Sequence, residues 1–238
     1  MLVPPHRDLE IPVSCVERER WRYASKEFSS SPVIMERSLR ARKAASVSAS
    51  LRAGRSFASD QGEVWAGIRQ MMDRRGMASP TEAMADPYAG EEESLRTFRE
   101  AFACAEGQQG LAVVCGRRVL GLDFLSSPAA FRHCFHRLIS SYAMELLDVP
   151  AAGGGGGVEG IHAFLTTAAA VSEEIVPSPG YGEDHRLRHE DLVGSALVAG
   201  NEVIHVGLFS LPPQTERPEM PALANYSCRR RFLARHGE

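Results

Sequence analysis

The feature that most constrains the fold is a β-hairpin pattern that occurs twice in the chain. Residues 110–126 read GLAVVCGRRVLGLDFLS and residues 194–210 read GSALVAGNEVIHVGLFS, with six identities in an ungapped alignment. In each copy two β-rich runs flank a two-residue turn that begins with glycine, at Gly116 or Gly200, and a glycine there suits a type II′ turn. The pattern therefore predicts two related hairpins whose registers are set by their turns.

The turns predict which side chains share a face of each hairpin. Counting back from the turn pairs Gly110 with Asp123 in the first hairpin and Ala196 with His205 in the second. Beside the turns the predicted pairs are Val114 with Val119 and Val198 with Val203. Asp123 and His205 then lie on a face of small residues, where a ligand or another backbone can approach closely. The opposite, bulky face is predicted to be core and comprises Leu111, Val113, Leu120, Leu122, Leu197, Ile204 and Val206.

Helical patterns surround both hairpins. Ser59 and Asp60 can cap a helix that continues to about residue 76, and Ser127 with Pro128 begins the longest helix, which continues to about residue 148. Shorter amphipathic helices are predicted at residues 91–105 and 161–171, each ahead of one hairpin. The chain is therefore predicted to be an α+β protein in which antiparallel hairpins form a sheet and helices cover its bulky face.

The predicted domain covers residues 1–210, and a Pro-rich, basic tail covers residues 211–238. Five consecutive glycines at residues 153–157 predict a flexible loop. Residues 176–191 read VPSPGYGEDHRLRHED and are predicted to be a polar insertion loop, a kind of segment that often carries function. Residues 27–57 are rich in Ser and Arg and predict a loose segment followed by an exposed basic helix.

Composition narrows the class of protein. The 238 residues carry a formal net charge of -3 at pH 7 and are 44% hydrophobic, which argues against a strongly basic nucleic-acid binder. The five cysteines lack CxxC spacing and fit a reducing compartment. No apolar run approaches the length of a membrane span, and the first residues lack the apolar core of a signal peptide. We therefore expect a cytoplasmic protein whose partner is neither a membrane nor a nucleic acid.

Asp123 and His205 are the preferred catalytic pair. If the two hairpins are related by pseudo-symmetry, their small faces border one cleft and bring these two side chains within reach of each other. The alternative is that helices pack closely on those faces and that His205 is a core histidine.

Other polar residues offer weaker candidates. Glu183 and His185 lie among further acidic residues of the insertion and could bind a ligand or transfer protons, and the alternative is a solvated loop. His133 and His136 lie three residues apart on the longest predicted helix but lack a third ligand, so we interpret them as surface histidines and predict no metal site.

Cys15 lies in an apolar strand pattern next to Glu17 and several arginines. Positive groups of this kind favour a reactive thiolate if they point toward the sulfur. A buried, inert cysteine is the alternative.

Four segments of the chain resemble one protein family. They are IPVSCVERERW at residues 11–21, SDQGEVW at 59–65, LISSYA at 138–143, and VGSAL at 193–197 followed by His205. Together they resemble the ARG and rhodanese-phosphatase-superfamily-associated protein domain, where ARG denotes ADP-ribosylglycohydrolase. The resemblance runs from about residue 9 to residue 210, and it implies a further β-rich segment ahead of the first motif, whereas this chain begins just before it. The matched positions are Cys15, Glu17, Trp21, Gln61, Glu63, Trp65, Asp123 and His205.

The family name implies an association with ADP-ribose-linked and NAD-linked enzymes but no mechanism. We expect an accessory domain that binds, and could process, a nucleotide-derived small molecule such as ADP-ribose in a cleft beside Asp123 and His205. The catalytic candidates are Asp123, His205, Cys15 and Glu17, and the ligand-binding candidates are Trp21, Gln61, Glu63, Trp65, Glu183 and His185.

A second hypothesis belongs to another class of protein. In it the chain is a non-catalytic module that docks an acidic protein partner through the basic segment at residues 37–55 and the basic tail. The sequence leaves open whether the protein is an enzyme and which cofactor, if any, it uses.

Overall fold

A computed structural model describes residues 2–18, 33–147, 149 and 157–212. Trp21, most of the glycine loop at 153–157 and nearly all of the tail at 211–238 lie outside the described residues. None of the described helices combines the length and the apolar character that a membrane span needs.

The described residues form six helices and one six-stranded sheet. The helices are α1 (Arg37–Arg52), α2 (Gln61–Arg74), α3 (Ala85–Gly90), α4 (Glu92–Ala101), α5 (Pro128–Leu146) and α6 (Gly157–Ala169). The strands are β1 (Gly110–Cys115), β2 (Arg118–Leu125), β3 (Ser172–Pro177), β4 (Glu183–Arg188), β5 (Leu192–Ala199) and β6 (Glu202–Ser210). The predicted caps of α2 and α5 are confirmed, since Asp60 accepts a hydrogen bond from the Glu63 amide and Ser127 accepts one from the Ala130 amide.

The sheet is antiparallel throughout, in the order β1-β2-β6-β5-β4-β3, and the α+β prediction is confirmed. The two repeated hairpins, β1–β2 and β5–β6, join through β2 and β6, so that Asp123 lies directly opposite Gly207. The repeat therefore forms the centre of the sheet.

The predicted register is correct beside the turns and wrong beyond them. Val114 pairs with Val119, and Val198 pairs with Val203. One residue of the returning strand is then left unpaired in each hairpin, so that Asp123 lies opposite Leu111 and His205 opposite Leu197. This is a β-bulge, which sets two residues of one strand against one of its partner and leaves no trace in the alternation of residue types.

The second turn also differs from its prediction. Gly116 has φ 59°, and Arg117 is not in the left-handed region, as a type II′ turn requires. In the other hairpin both Gly200 (φ 58°) and Asn201 (φ 63°) are left-handed, as in a type I′ turn. Asparagine tolerates that region better than most residues do, which explains the change.

Helices cover both faces of the sheet, not the bulky face alone. On the face that carries Asp123, Ala41 of α1 packs against Val193 and Phe209, and α5 packs against Leu111 and Leu125. On the opposite face, Phe164 of α6 packs against strand residues that include Leu192 and Leu208. The bulges explain why helices cover both faces, since they bring Leu111, which was predicted on the bulky face, to the face of Asp123.

The predicted insertion loop at residues 176–191 is in fact part of a third hairpin. Strand β4 runs through Glu183–Arg188 and pairs on one side with β3 and on the other with β5. Its sequence, EDHRLR, lacks the apolar alternation of a strand. Ladder hydrogen bonds on both sides, together with an ion pair between Asp184 and Arg186, compensate for that polarity.

Helix α1 was predicted to be exposed and is instead packed against the sheet. Two of its arginines, Arg37 and Arg40, pair with internal groups, whereas Arg42 and Arg52 are exposed. Arg37 is 3% exposed, donates through Nε to Glu145 Oε2 at 2.7 Å and donates to the carbonyl of Ser210 at 2.6 Å. Arg40 pairs with Asp123. A charge run in sequence resembles a solvated face, but buried carboxylates on distant segments can pair with it.

Candidate functional site

A cleft of about 440 Å³ lies between α1 and strands β4, β5 and β6. This volume falls within the usual range of small-molecule sites. The polar side chains of its lining include Arg40, Lys43, Asp184, Arg186 and His205, and its apolar lining includes Phe57 and Phe209. A larger and more open depression of about 650 Å³ beside α4 and α5 contains none of the predicted site residues.

A buried network holds Arg40 at the cleft. Asp123 is 2% exposed and accepts two hydrogen bonds from the Arg40 guanidinium, one of them from Nη1 to Oδ2 at 3.0 Å. Tyr142 of α5 donates its hydroxyl to the same oxygen at 2.9 Å. Burial, and next the Asp123 carboxylate, raise the pKa of Tyr142, so its hydroxyl stays protonated and keeps donating. Both Asp123 carboxylate oxygens therefore accept hydrogen bonds, and this residue contributes to the cleft by positioning Arg40.

His205 lines the cleft directly and is half-buried. Its side chain makes no hydrogen bond to any described residue. Burial lowers the pKa of His205, and the nearby Asp123 carboxylate only partly offsets that effect, so the free imidazole is neutral at pH 7. Asp123 and His205 are diagonal neighbours across β2 and β6, about 7 Å apart in a regular sheet. The structure thus places the predicted pair side by side without a hydrogen bond between them.

Lys43 is the cation of the cleft that has no partner among the described residues. Arg40 is paired with Asp123, and Arg186 donates to Asp184 Oδ2 at 2.6 Å. Lys43 is half-buried and makes neither a hydrogen bond nor an ion pair within the described part of the chain. Burial lowers the pKa of its amine. The cleft therefore has one positive charge in excess, which suits an anionic ligand.

Aromatic rings beside the two paired arginines complete the cleft. The guanidinium carbon of Arg40 lies 4.6 Å from the ring centroid of Phe209, and that of Arg186 lies 5.6 Å from the ring centroid of Phe57. Cation–π contacts of this kind hold the guanidinium groups in place. Phe57 remains half-exposed and offers apolar surface to a ligand.

Cys15, Glu17 and Gln61 join the N-terminal segment to α2. Gln61 Oε1 accepts from the Cys15 amide at 2.8 Å, and Gln61 Nε2 donates to the Cys15 carbonyl at 2.7 Å. The Cys15 thiol donates to the Glu17 carbonyl at 3.1 Å, and Glu17 forms a β-bridge with Ala83. None of these three predicted residues lines the cleft. Their observed contacts fix the path of the chain.

Glu63 and Trp65 also lie on α2, away from the cleft. Burial, and next the Asp60 carboxylate, raise the pKa of Glu63. The Arg18 guanidinium lies 5.8 Å from the Trp65 ring centroid, and the Trp65 Nε1 is buried with no hydrogen-bond partner in the described structure. Through Arg18, Trp65 contacts the same N-terminal segment as Gln61 does.

Glu183 and His185 lie on the other side of β4. His185 Nδ1 is 2.6 Å from Glu173 Oε1, and its Nε2 is 3.8 Å from Glu183 Oε2, so the two carboxylates flank opposite edges of the ring. Within the described ranges no group of three or more His, Cys, Asp or Glu side chains is placed to hold a metal ion. Because strand residues alternate between faces, Asp184 and Arg186 line the cleft and the two predicted residues do not.

Sequence reasoning missed most of the cleft. Lys43 and Arg40 belong to a helix that was predicted to be solvated, and Arg186 belongs to a strand that was predicted to be a loop. A period of two in EDHRLR could have separated Asp184 and Arg186 from their neighbours.

A protein-family model matches the chain over most of its length. The family model of the ARG and Rhodanese-Phosphatase-superfamily-associated Protein domain matches residues 1–209. No curated protein and no solved structure matches the chain.

Proposed function

The chain belongs to the ARG and Rhodanese-Phosphatase-superfamily-associated Protein domain family, and on that premise we propose that its cleft binds an anionic, nucleotide-derived small molecule such as ADP-ribose. The family's name supports the choice of ligand class by association alone. The observation that carries the proposal is a cleft that holds His205 together with Lys43, an amine with no ion-pair partner in the described part of the chain.

Charge is the first support. Arg40 and Arg186 are each matched by one carboxylate, so a bound diphosphate finds the Lys43 amine without first breaking an ion pair. Each guanidinium group keeps further N–H donors for phosphate oxygens, because a bidentate ion pair with a carboxylate uses only some of its N–H groups. Asp123 then serves as a positioning residue that aims Arg40.

Size and apolar surface are the second support. A cleft of about 440 Å³ accommodates part or all of a nucleotide-sized ligand. Phe57 and Phe209 supply aromatic surface against which a base or a ribose can pack. His205 is the titratable group that can exchange a proton with the bound molecule.

Isothermal titration calorimetry of the full chain with ADP-ribose and with NAD tests the proposal. We expect saturable heat with ADP-ribose, and a loss of affinity of about tenfold or more in Lys43→Ala, since one charge-assisted hydrogen bond is removed. Arg52→Ala removes an exposed positive charge from the same helix outside the cleft and is the matched control. Absence of heat at millimolar ligand in a folded sample, or equal losses in both variants, overturns the proposal.

A cytoplasmic location is part of the same proposal. It is supported by Cys15, Cys104, Cys115 and Cys134, which are free thiols. Fractionation of cells that express the full chain measures it directly, and recovery outside the cytoplasm contradicts it.

A further inference from the structure

The use of lysine in this chain is unusual. Of 27 basic Lys and Arg residues, 25 are arginine and only two, Lys26 and Lys43, are lysine. A chain that places arginine at nearly every cationic position has a lysine in its candidate cleft. The two side chains carry the same charge but differ in chemistry, since guanidinium stays protonated and an amine can lose its proton and act as a nucleophile.

The position of Lys43 suits that chemistry. It lies one helical turn after Arg40 and next to Ala44, and all three line the cleft. The amine has no carboxylate partner within the described residues to hold it in its charged form. Burial alone lowers its pKa, which enlarges the fraction of neutral amine at neutral pH.

We propose that Lys43 forms an imine with the open-chain aldehyde of an anionic sugar ligand, so that the cleft selects molecules with a free reducing ribose, such as ADP-ribose. This inference rests on the proposed function, because the ligand must first enter the cleft. It specifies which end of the ligand reaches Lys43 and distinguishes ADP-ribose from NAD and AMP, in which that aldehyde is absent.

The reaction balances without any further reagent. The lone pair of the neutral Lys43 amine forms a bond to the aldehyde carbon, the carbonyl electrons move to oxygen, and the nitrogen proton is transferred so that a carbinolamine results. Protonation of the hydroxyl, departure of water and loss of the remaining nitrogen proton leave the C=N bond. His205 lines the same cleft and can carry these protons.

Reductive trapping of the full chain tests the inference. The protein is incubated with ADP-ribose and sodium cyanoborohydride, and the product is analysed by intact mass and by peptide mapping. We expect one stable adduct on Lys43, with Lys26 and the terminal amine as internal references for non-specific glycation. AMP and NAD, which lack the free aldehyde, should leave the mass unchanged.

Variants separate the possible outcomes. Lys43→Arg keeps the positive charge and removes the nucleophile, so the adduct should be lost, and calorimetry on the same sample measures how much binding remains. ADP-ribose heat in the wild-type protein without an adduct overturns the imine and leaves the proposed function standing. An adduct spread over Lys26 and the terminal amine to the same extent also overturns the imine, and absence of both heat and adduct overturns both proposals.

Discussion

The two related hairpins have the same strand–turn–strand pattern but differ in where each carries a polar residue on the face of Asp123. In the ungapped alignment Gly121 of the first hairpin corresponds to His205 of the second, and Asp123 corresponds to Gly207. At these two aligned positions each hairpin thus has one polar residue and one glycine, in exchanged order. Because β2 pairs with β6, Asp123 lies opposite Gly207, and both polar side chains lie on the same face of the sheet.

The exchange has different consequences on the two sides. The first hairpin contributes an anchor: Asp123 is buried and bonded to Arg40 of α1 and Tyr142 of α5. The second contributes part of the cleft wall, where His205 is half-buried and makes no hydrogen bond to any described residue. A repeated scaffold can therefore use the polar residue of one copy to bind helices and leave the polar residue of the other copy available for a ligand.

The largest expected effect on stability comes from removing the Asp123 carboxylate, which joins α1 and α5 to the sheet. Asp123→Ala leaves the Arg40 side chain, which is 15% exposed, without its carboxylate and the Tyr142 hydroxyl without its acceptor, and we expect a loss of about 3–5 kcal/mol in the free energy of unfolding. Urea denaturation measures it. Glu159→Ala, which removes a carboxylate from the exposed Arg117 pair, is the control and should change stability by less than about 1 kcal/mol. Similar losses in the two variants would show that Asp123 is no anchor.

A smaller effect should separate the two glycines of the exchange. A Cβ on Gly121 would lie 2.8 Å from the Leu208 carbonyl oxygen and 2.9 Å from the Tyr142 hydroxyl, whereas one on Gly207 would meet the end of the Phe209 ring at 3.3 Å. We expect Gly121→Ala to lower the unfolding free energy by about 1–3 kcal/mol through overpacking. Gly207→Ala should cost clearly less in the same denaturation assay. The reverse order would contradict the assignment of the tighter packing to the first hairpin.

The smallest effect is a change in the pH dependence of stability. Burial lowers the pKa of His205, so the unfolded chain binds more protons than the folded chain as the pH falls through about 6.5. This residue therefore contributes stability above that pH which is lost on acidification. His205→Gln should flatten the fall in unfolding free energy between about pH 7 and pH 5.

His133→Gln, which removes an exposed histidine from α5, is the matched control for that experiment. Only a change in His205→Gln that exceeds the change in this control counts as an effect of the cleft histidine. If His205→Gln steepened the profile, the free imidazole would be stabilised in its charged form, contrary to its surroundings in the cleft.

Local sequence patterns predicted the positions of the turns and the helix caps correctly but predicted the register of the paired strands only in part. Val114 with Val119 followed from a two-residue turn, and the α2 and α5 caps followed from Asp60 and Ser127. Asp123 and His205 were correctly grouped, since the similarity of the hairpins placed them on one face. The pairing of Asp123 with Leu111 was missed because a bulge adds one residue to the count.

The sequence by itself determined the features that depend on neighbouring residues. These are the turns, the helix caps, the two related hairpins and the α+β class. What only the tertiary structure decided is which distant groups meet. Arg40 and Asp123 are 83 residues apart, and no local pattern connects the two. Lys43 lines the cleft because α1 packs against the sheet, through that ion pair, through Arg37 and through Ala41. Such contacts depend on the free energy of packing whole elements together, which no local window of sequence contains.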